Sequence, residues 1–337
     1  MMKAFIKPMA VILVSLMLAG VSFAVSSYIF NSMNNENNDG TVEDALLGVS
    51  ESKDGERPYC VLVLGKDTTS GLADVIMLVA LDKKDKKIFA LQIPRDTYAE
   101  YGSSYFKING IVKALGEEGA CNFFESSMGI TLDGYISLEL EGFRALVDSM
   151  GGVDMNVEKP LRYSDPEQGL YIDLPAGRRT LNGREAEMLV RYRSGYARGD
   201  LDRLDAQKKF LAAFFISLRE KVTPFNAYSV VSGALPYLST DISPSELVSM
   251  GLSVVTSENE SVRLATLPGE DAISEISGAS FYVASASSAS ALLEDNFGAR
   301  ADSFDTEGVF LHPSLDSFRR IYRKNAENEI FSLDELK

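Results

Sequence analysis

Carboxylates and arginines carry whatever chemistry this chain can do. It has one histidine, His312, near its end, so a Ser-His-Asp triad, a Cys-His pair or a histidine metal site lacks its central member. Cys60 and Cys121 are the only cysteines and have no metal-ligand spacing. What remains is Asp67, Asp74 and Arg95-Asp96 in one region, and Arg191, Arg193, Asp200, Arg203 and Gln207 in another. Such a set suits phosphoryl transfer, in which the protein mainly neutralises phosphate charge and positions the reacting groups. Arginine's planar fork binds two phosphate oxygens at once and stays charged at every relevant pH. Arg191 and Arg193 are two apart and point the same way in an extended segment. Arg203 and Gln207 are four apart and share a helix face, and Asp200 lies near that helix's N-terminus, where phosphate is welcome.

The elements that must position these groups are legible around them. Tyr59-Cys-Val-Leu-Val-Leu-Gly-Lys-Asp67, Ala73-Asp74-Val-Ile-Met-Leu-Val-Ala-Leu81 and Ile88-Phe-Ala-Leu-Gln-Ile-Pro-Arg95-Asp96 are apolar runs with a charge at one end. They read as strands buried on both faces. If the first two are antiparallel neighbours, Asp67, Asp74 and Arg95 converge on one rim of the sheet. Beyond them, helical spacing runs from Gly110 to Gly129. A strand is expected at Gly134–Leu140, a helix at Glu141–Met150 closed by two glycines, and a strand at Val153–Val157. Residues 158–182 are loop-rich, Gly183–Val190 is a short helix, and Leu204 to about Lys221 is a long amphipathic one. Helices around Tyr228–Leu238 and Ser245–Val255, the second behind an N-cap signature, and a strand near Val262–Thr266 complete the expected domain.

The amino end differs in kind. Lys3 and Lys7 precede an uncharged run from Pro8 to Phe30, roughly 33 Å as a helix, enough to cross a bilayer with the lysines in the cytoplasm. A cleaved signal peptide ending near Ser22-Phe23-Ala24 is the alternative. Either way everything after residue 30 is exported. Residues 31–57 read as a polar linker, 58–300 as one domain and 301–337 as a polar tail. A net charge of −15 argues against nucleic acid as a partner. The two cysteines are expected as buried thiols, a disulfide between them being the alternative.

Taken in order, these motifs resemble the LytR-CpsA-Psr family of bacterial cell-envelope proteins. Gly65-Lys66-Asp67, Ala73-Asp74, Gln92-Ile-Pro-Arg95-Asp96 and Lys107-Ile108-Asn109 match its first block. Gly142-Phe143 through Gly151-Gly152-Val153 matches the segment that follows. Arg191-Tyr-Arg193 and Asp200-x-x-Arg203-x-x-x-Gln207 match the second block. The resemblance is plainest over residues 59–221 and implies an extracytoplasmic α/β domain, a mixed central sheet flanked by helices on both faces, behind one N-terminal transmembrane helix in the cell membrane. It further implies a transferase moving an anionic glycopolymer, of teichoic acid or capsular type, from undecaprenyl pyrophosphate to peptidoglycan. Asp67 and Asp74 would then hold Mg²⁺, and Arg95, Arg191, Arg193 and Arg203 would grip the pyrophosphate with Gln207 assisting. Asp74 or Asp200 would orient or deprotonate the acceptor hydroxyl, beside the catalytic Arg95. Phe210 and Phe214 either line a slot for the prenyl chain or pack as core.

Three departures accompany the resemblance. The loop between Asp67 and Asp74 has no arginine, Gln92 stands where the family has serine, and Ala206 stands where an arginine often precedes the glutamine. Two other readings therefore stay open: a non-catalytic envelope protein that binds polyprenyl-linked polymer as regulator or scaffold, and a lipid-pyrophosphate hydrolase.

Overall fold

The computed structural model describes residues 57–67, 70–82, 85, 87–101, 104–166, 170–192, 200–222, 230, 234–243, 246–247, 250, 257–274, 277–299, 318–324, 330–332 and 335. The expected membrane anchor over 1–30, nearly all of the linker, Arg193 and His312 lie outside these residues. Among the described residues no helix is long and apolar enough to cross a membrane.

The three apolar runs form the strands the sequence predicts. They are β1 (Tyr59–Asp67), β2 (Leu72–Asp82) and β3 (Lys87–Ile93). A hairpin, β4 (Tyr98–Tyr101) and β5 (Ser104–Lys107), leads to helix α1 (Ile111–Met128). Then come β6 (Gly134–Glu139), α2 (Leu140–Ser149) and β7 (Val153–Val157). The stretch expected as loop, 158–182, folds as β8 (Leu161–Asp165), β9 (Leu170–Leu174) and β10 (Gly177–Leu181). These strands are short, and four of the five residues of β8 are at least partly exposed, so no hydrophobic period announces them. Helices α3 (Gly183–Arg191) and α4 (Asp200–Lys221) follow. The remainder holds β11 (Leu238–Thr240), β12 (Val262–Thr266), β13 (Gly269–Ser274), β14 (Ser280–Ala284), α5 (Ala286–Phe297), β15 (Phe318–Lys324) and β16 (Ile330–Ser332).

Seven strands among the described residues make a mixed central sheet in the order β11-β6-β1-β2-β3-β12-β16. β1 pairs antiparallel with β2 and parallel with β6, and β3 is antiparallel to β2 but parallel to β12. Alternation along β1 and β2 sorts side chains to two cores. Val61, Val63, Met77 and Val79 meet Phe143 of α2, Leu189 of α3 and Phe210, Phe214 and Phe215 of α4. Leu62, Leu64, Ile76 and Leu78 meet Phe123 and Phe124 of α1 and Leu293 and Phe297 of α5. Helices on both faces follow, because a strand apolar on both sides must be covered on both. Each fully buried aliphatic or aromatic side chain contributes about 1.5–3 kcal/mol.

Two further expectations are revised. Part of the stretch expected as a helix ending at Leu238 is a 3-10 turn at Leu235–Tyr237 running into β11, whose Thr240 hydroxyl donates to Tyr135 O at 2.6 Å. The segment expected as a free tail supplies β15, which pairs with β13, and β16, which closes the far edge of the central sheet on β12. The expected N-cap is present. Ser243 and Glu246 form a reciprocal pair, Ser243 N donating to Glu246 Oε2 at 3.0 Å and Glu246 N to Ser243 Oγ at 3.3 Å.

Where the chain enters β1, Arg57 grips Asp133 through two parallel bonds of 2.8 Å, and Asp133 Oδ2 also accepts from Cys60 N at 2.8 Å. Cys60 and Cys121 are unpaired thiols within the second core, Cys60 fully buried and Cys121 partly so. Burial pushes both thiols up to about 12, with Asp133 adding to the effect at Cys60 and Asp241 at Cys121. A folded value above the ordinary 9.0 means their contribution to stability is whole below 9.0 and lost as pH rises toward about 12. The expected result is a native protein inert to an aromatic disulfide reagent at neutral pH, releasing two equivalents of thiolate on denaturation. Reaction of both thiols in the native state at neutral pH would contradict it.

Candidate active site

The rim of the sheet where β1 ends and β2 begins is irregular, and the irregularity falls on Asp74. Gly65 pairs with Val75 but Lys66 pairs with Ala73, so Asp74 is the extra residue of a β-bulge. A bulge re-aims the side chain it carries and interrupts strand alternation. Ala73 accordingly sits in the same core as Ile76, where unbroken alternation would put it on the opposite face. The connection back from Asp67 is tight: Gly71 N donates to Asp67 O at 2.8 Å, and Gly71 takes a φ of 68°, which glycine tolerates without strain. Lys113 of α1 donates to Ser70 O at 2.9 Å and so props this loop from beneath.

Arg95 comes to the rim from β3. Pro94 locks its own φ and holds Ile93 extended, which ends the strand. The backbone around Arg95 is then fixed from several sides. Leu267 N donates to Gln92 O at 2.8 Å, Asn109 N to Arg95 O at 3.1 Å, and Tyr282 N to Asp96 O at 2.9 Å. From this mount Arg95 Nη1 reaches Asp74 Oδ1 at 3.3 Å, with side chains only 3% and 6% exposed. Arg95 Nε lies 3.5 Å from Asp96 Oδ1, and Lys107 Nζ lies 3.2 Å from the same oxygen. So deep a charge pair costs desolvation and is weak evidence of stabilisation. Its persistence at a bulge on a sheet rim fits a functional use.

Helix α3 is set by its start. Asn182 and Glu185 make a reciprocal capping box, and Gly183 N donates to Asp148 Oδ1 at 2.7 Å. The helix ends on Arg191, whose Nη1 lies 2.6 Å from Glu187 Oε1, while Arg144 of α2 holds Glu187 Oε2 at 3.0 Å. Glu187 escaped the sequence reading, although its i,i+4 spacing from Arg191 was the signal for it. Gln207 of α4 is buried. Its Oε1 accepts from Gln92 Nε2 at 2.9 Å and its Nε2 donates to Val190 O at 3.1 Å.

Of the residues the sequence singled out, Asp74 and Arg95 are in direct contact, Asp67 ends the same ladder, and Gln207 bridges β3 and α3. Arg191 stands one residue past that bridge with its head on Glu187. Asp200 opens α4 and Arg203 lies in its first turn; their side chains, like Arg193, fall outside the described residues. Phe210 and Phe214 are fully buried, Phe210 edge-on to Phe143 at 6.1 Å, and pack as core.

Among the described residues no group of three or more His, Cys, Asp or Glu gathers as a metal cage. Asp67 and Asp74 stand at one end of the β1–β2 ladder and would be the carboxylates a Mg²⁺ ion takes. Such an ion usually takes one or two protein carboxylates and completes its shell with water and substrate phosphates.

The comparisons with known proteins bear on the family and the fold. The polyisoprenyl-teichoic acid–peptidoglycan teichoic acid transferase TagV of Bacillus subtilis is 31% identical over 170 residues, covering 47% of this chain and 43% of TagV. The cell wall biosynthesis protein LcpA of Corynebacterium glutamicum is 30% identical over 210 residues, covering 52% of this chain and 39% of LcpA. The chain thus spans less than half the length of either relative. The crystal structure of B. subtilis TagV superposes with a TM-score of 0.62 at 22% identity, over 73% of this chain and 99% of that one. TagT bound to LI-WTA superposes at 0.59 and 22% identity, over 74% and 95%. Those superpositions establish the mixed α/β fold. The LytR_cpsA_psr family matches residues 22–297, most of the chain, and the protein belongs to it.

Proposed function

We propose that the protein transfers an anionic glycopolymer from a polyisoprenyl pyrophosphate carrier to a hydroxyl of peptidoglycan. The observation that carries this reading is the buried Asp74–Arg95 pair, at a bulge on the sheet rim, on a family member related to a teichoic acid transferase. In a chain of net charge −15, Arg95, Arg191, Arg193 and Arg203 are the cations this reading gives to an anionic group.

In this reaction an acceptor oxygen attacks the phosphorus bearing the glycopolymer. A new phosphodiester P–O bond forms, the pyrophosphate P–O–P bond breaks, and polyisoprenyl phosphate leaves with the bond's electron pair. Arg95, with Arg191, Arg193 and Arg203, offsets the charge of the pyrophosphate. Asp74 or Asp200 orients the acceptor hydroxyl and takes its proton. Asp67 and Asp74 would hold Mg²⁺, which would supply positive charge toward the phosphate oxygens. The apolar run from Pro8 to Phe30 anchors the chain in the cell membrane with the catalytic domain outside, which brings the site to a lipid-linked donor.

The test is single-turnover transfer by the full chain in detergent, from a short-chain polyprenyl-pyrophosphoryl oligosaccharide to peptidoglycan fragments. Product is expected with Mg²⁺ and is expected to fall to background with EDTA. Release of phosphorylated sugar without acceptor would mean a hydrolase. Tight lipid binding with no product under any metal or acceptor would mean a binding protein that has given up the reaction.

A further inference from the structure

We propose that Gln92 and Gln207 form an amide strut that sets the spacing of the cation-bearing elements, and that Gln207 acts by position, without touching the phosphates. The geometry fixes the direction of the strut. Val190 O can only accept, so Gln207 must turn its Nε2 toward it. Its Oε1 therefore faces β3, and Gln92 must donate, as its Nε2 does at 2.9 Å. Gln92 is 5% exposed and Gln207 2%, and both ends of the Gln207 amide are engaged within the protein.

Each link lies close to an arginine. Gln92 precedes Arg95 by three residues on the rigid exit from β3. Gln207 follows Arg203 by one helical turn on α4. Val190 is the residue before Arg191 at the end of α3. Strand β3 and the two much later helices α3 and α4, which carry the candidate phosphate grips, are thereby joined at one buried point. The last turn of α3 is held by Tyr192 N donating to Leu189 O at 3.3 Å and by the buried side chains of Leu189, Val190 and Tyr192, just where the chain turns extended at φ −66° and ψ 135°. A bond to the carbonyl of Val190 ties that last turn to the sheet through two side chains. Serine at position 92 is too short to span this gap to Gln207, so the strut depends on the glutamine this chain has there.

The geometry stands by itself; its consequence for substrate rests on the pyrophosphate reading above, and the experiment separates the two. The full chain in detergent is compared with Gln92→Leu, Gln207→Leu and the double variant. The readouts are affinity for geranyl pyrophosphate and amide hydrogen exchange in the last turn of α3. Each single change is expected to raise the dissociation constant about tenfold, and the double change to add nothing further, as for two residues of one unit. Exchange at residues 189–192 is expected to accelerate in all three. Phe124→Leu, in the opposite core, serves as a matched destabilised control and is expected to leave the affinity unchanged. A large loss in Gln207→Leu beside a neutral Gln92→Leu would overturn the proposal and make Gln207 a phosphate contact. If the wild type binds no pyrophosphate the functional reading fails, and the exchange data alone decide the strut. Unaltered exchange in Gln92→Leu would then sink it.

Discussion

Asp74→Asn is expected to abolish transfer while leaving the fold close to wild type, and Asp74→Ala to abolish both transfer and much of the stability. The two differ in what they leave facing Arg95. Alanine strands a guanidinium that is 3% exposed, and breaking such a buried pair costs about 3–5 kcal/mol, the lower end being apt here because Asp96 Oδ1 stands 3.5 Å from Arg95 Nε. Asparagine keeps an oxygen acceptor near Nη1 and removes only the charge. Loss of one preorganised electrostatic group costs roughly 10²–10³ in rate, and in the proposed mechanism Asp74 has further roles that the asparagine cannot fill. Urea unfolding midpoints and single-turnover rates on both variants measure the two effects separately. An Asp74→Asn protein with near-normal transfer would remove Asp74 from the chemistry and leave it a structural partner of Arg95.

Gly183→Ala is expected to be the most damaging one-carbon change near the site. A Cβ there would lie 2.3 Å from Arg144 O, 2.7 Å from Arg144 Cα and 2.8 Å from Arg144 C, all backbone atoms that no rotamer change can move. Helices α2 and α3 would have to part. Overpacking of this kind typically costs about 1–3 kcal/mol and occasionally more. The same displacement would strain the Arg144–Glu187–Arg191 ion pairs and draw Val190 O away from Gln207. The melting temperature is expected to fall by about 2–4 °C per kcal/mol, with transfer falling further than stability alone explains. Arg184→Ala, one residue on and exposed, is the control, expected to stay within about 0.5 kcal/mol. A Gly183→Ala chain as stable and active as the control would show that α2 and α3 can separate freely.

The central strands and the rim were legible because apolar runs with a charge at one end admit few arrangements. The antiparallel pairing of β1 with β2 then puts Asp67 and Asp74 at one end of the same ladder. The bulge that singles out Asp74 was not legible, since a one-residue shift leaves no trace in composition. Nor was the tie from Gln92 to Gln207, two residues 115 apart in sequence, because propensity and periodicity hold no long-range information. Gln92 was visible only as a departure from a motif. Strands β8 to β10 were hidden by their polarity, and β15 and β16 by standing in a charged stretch that reads as tail. The helix α3 was legible as Gly183–Val190, while its capping box of Asn182 and Glu185 went unread although the three-residue spacing carries it.

The clasp of Arg57 on Asp133 has a mechanical meaning. Tyr59 and Asp67 stand at opposite ends of β1, eight steps of about 3.3 Å apart, so the rim is roughly 26 Å from the clasp. Any pull arriving along the preceding chain acts down the axis of β1, which is flanked by β2 and β6. Such a force loads both ladders in shear, many hydrogen bonds at once, with the Arg57–Asp133 fork and the Cys60 amide bond taking the first strain. A domain moored at that end can be tugged and reoriented by its mooring while the carboxylates at the other end of the strand keep their places.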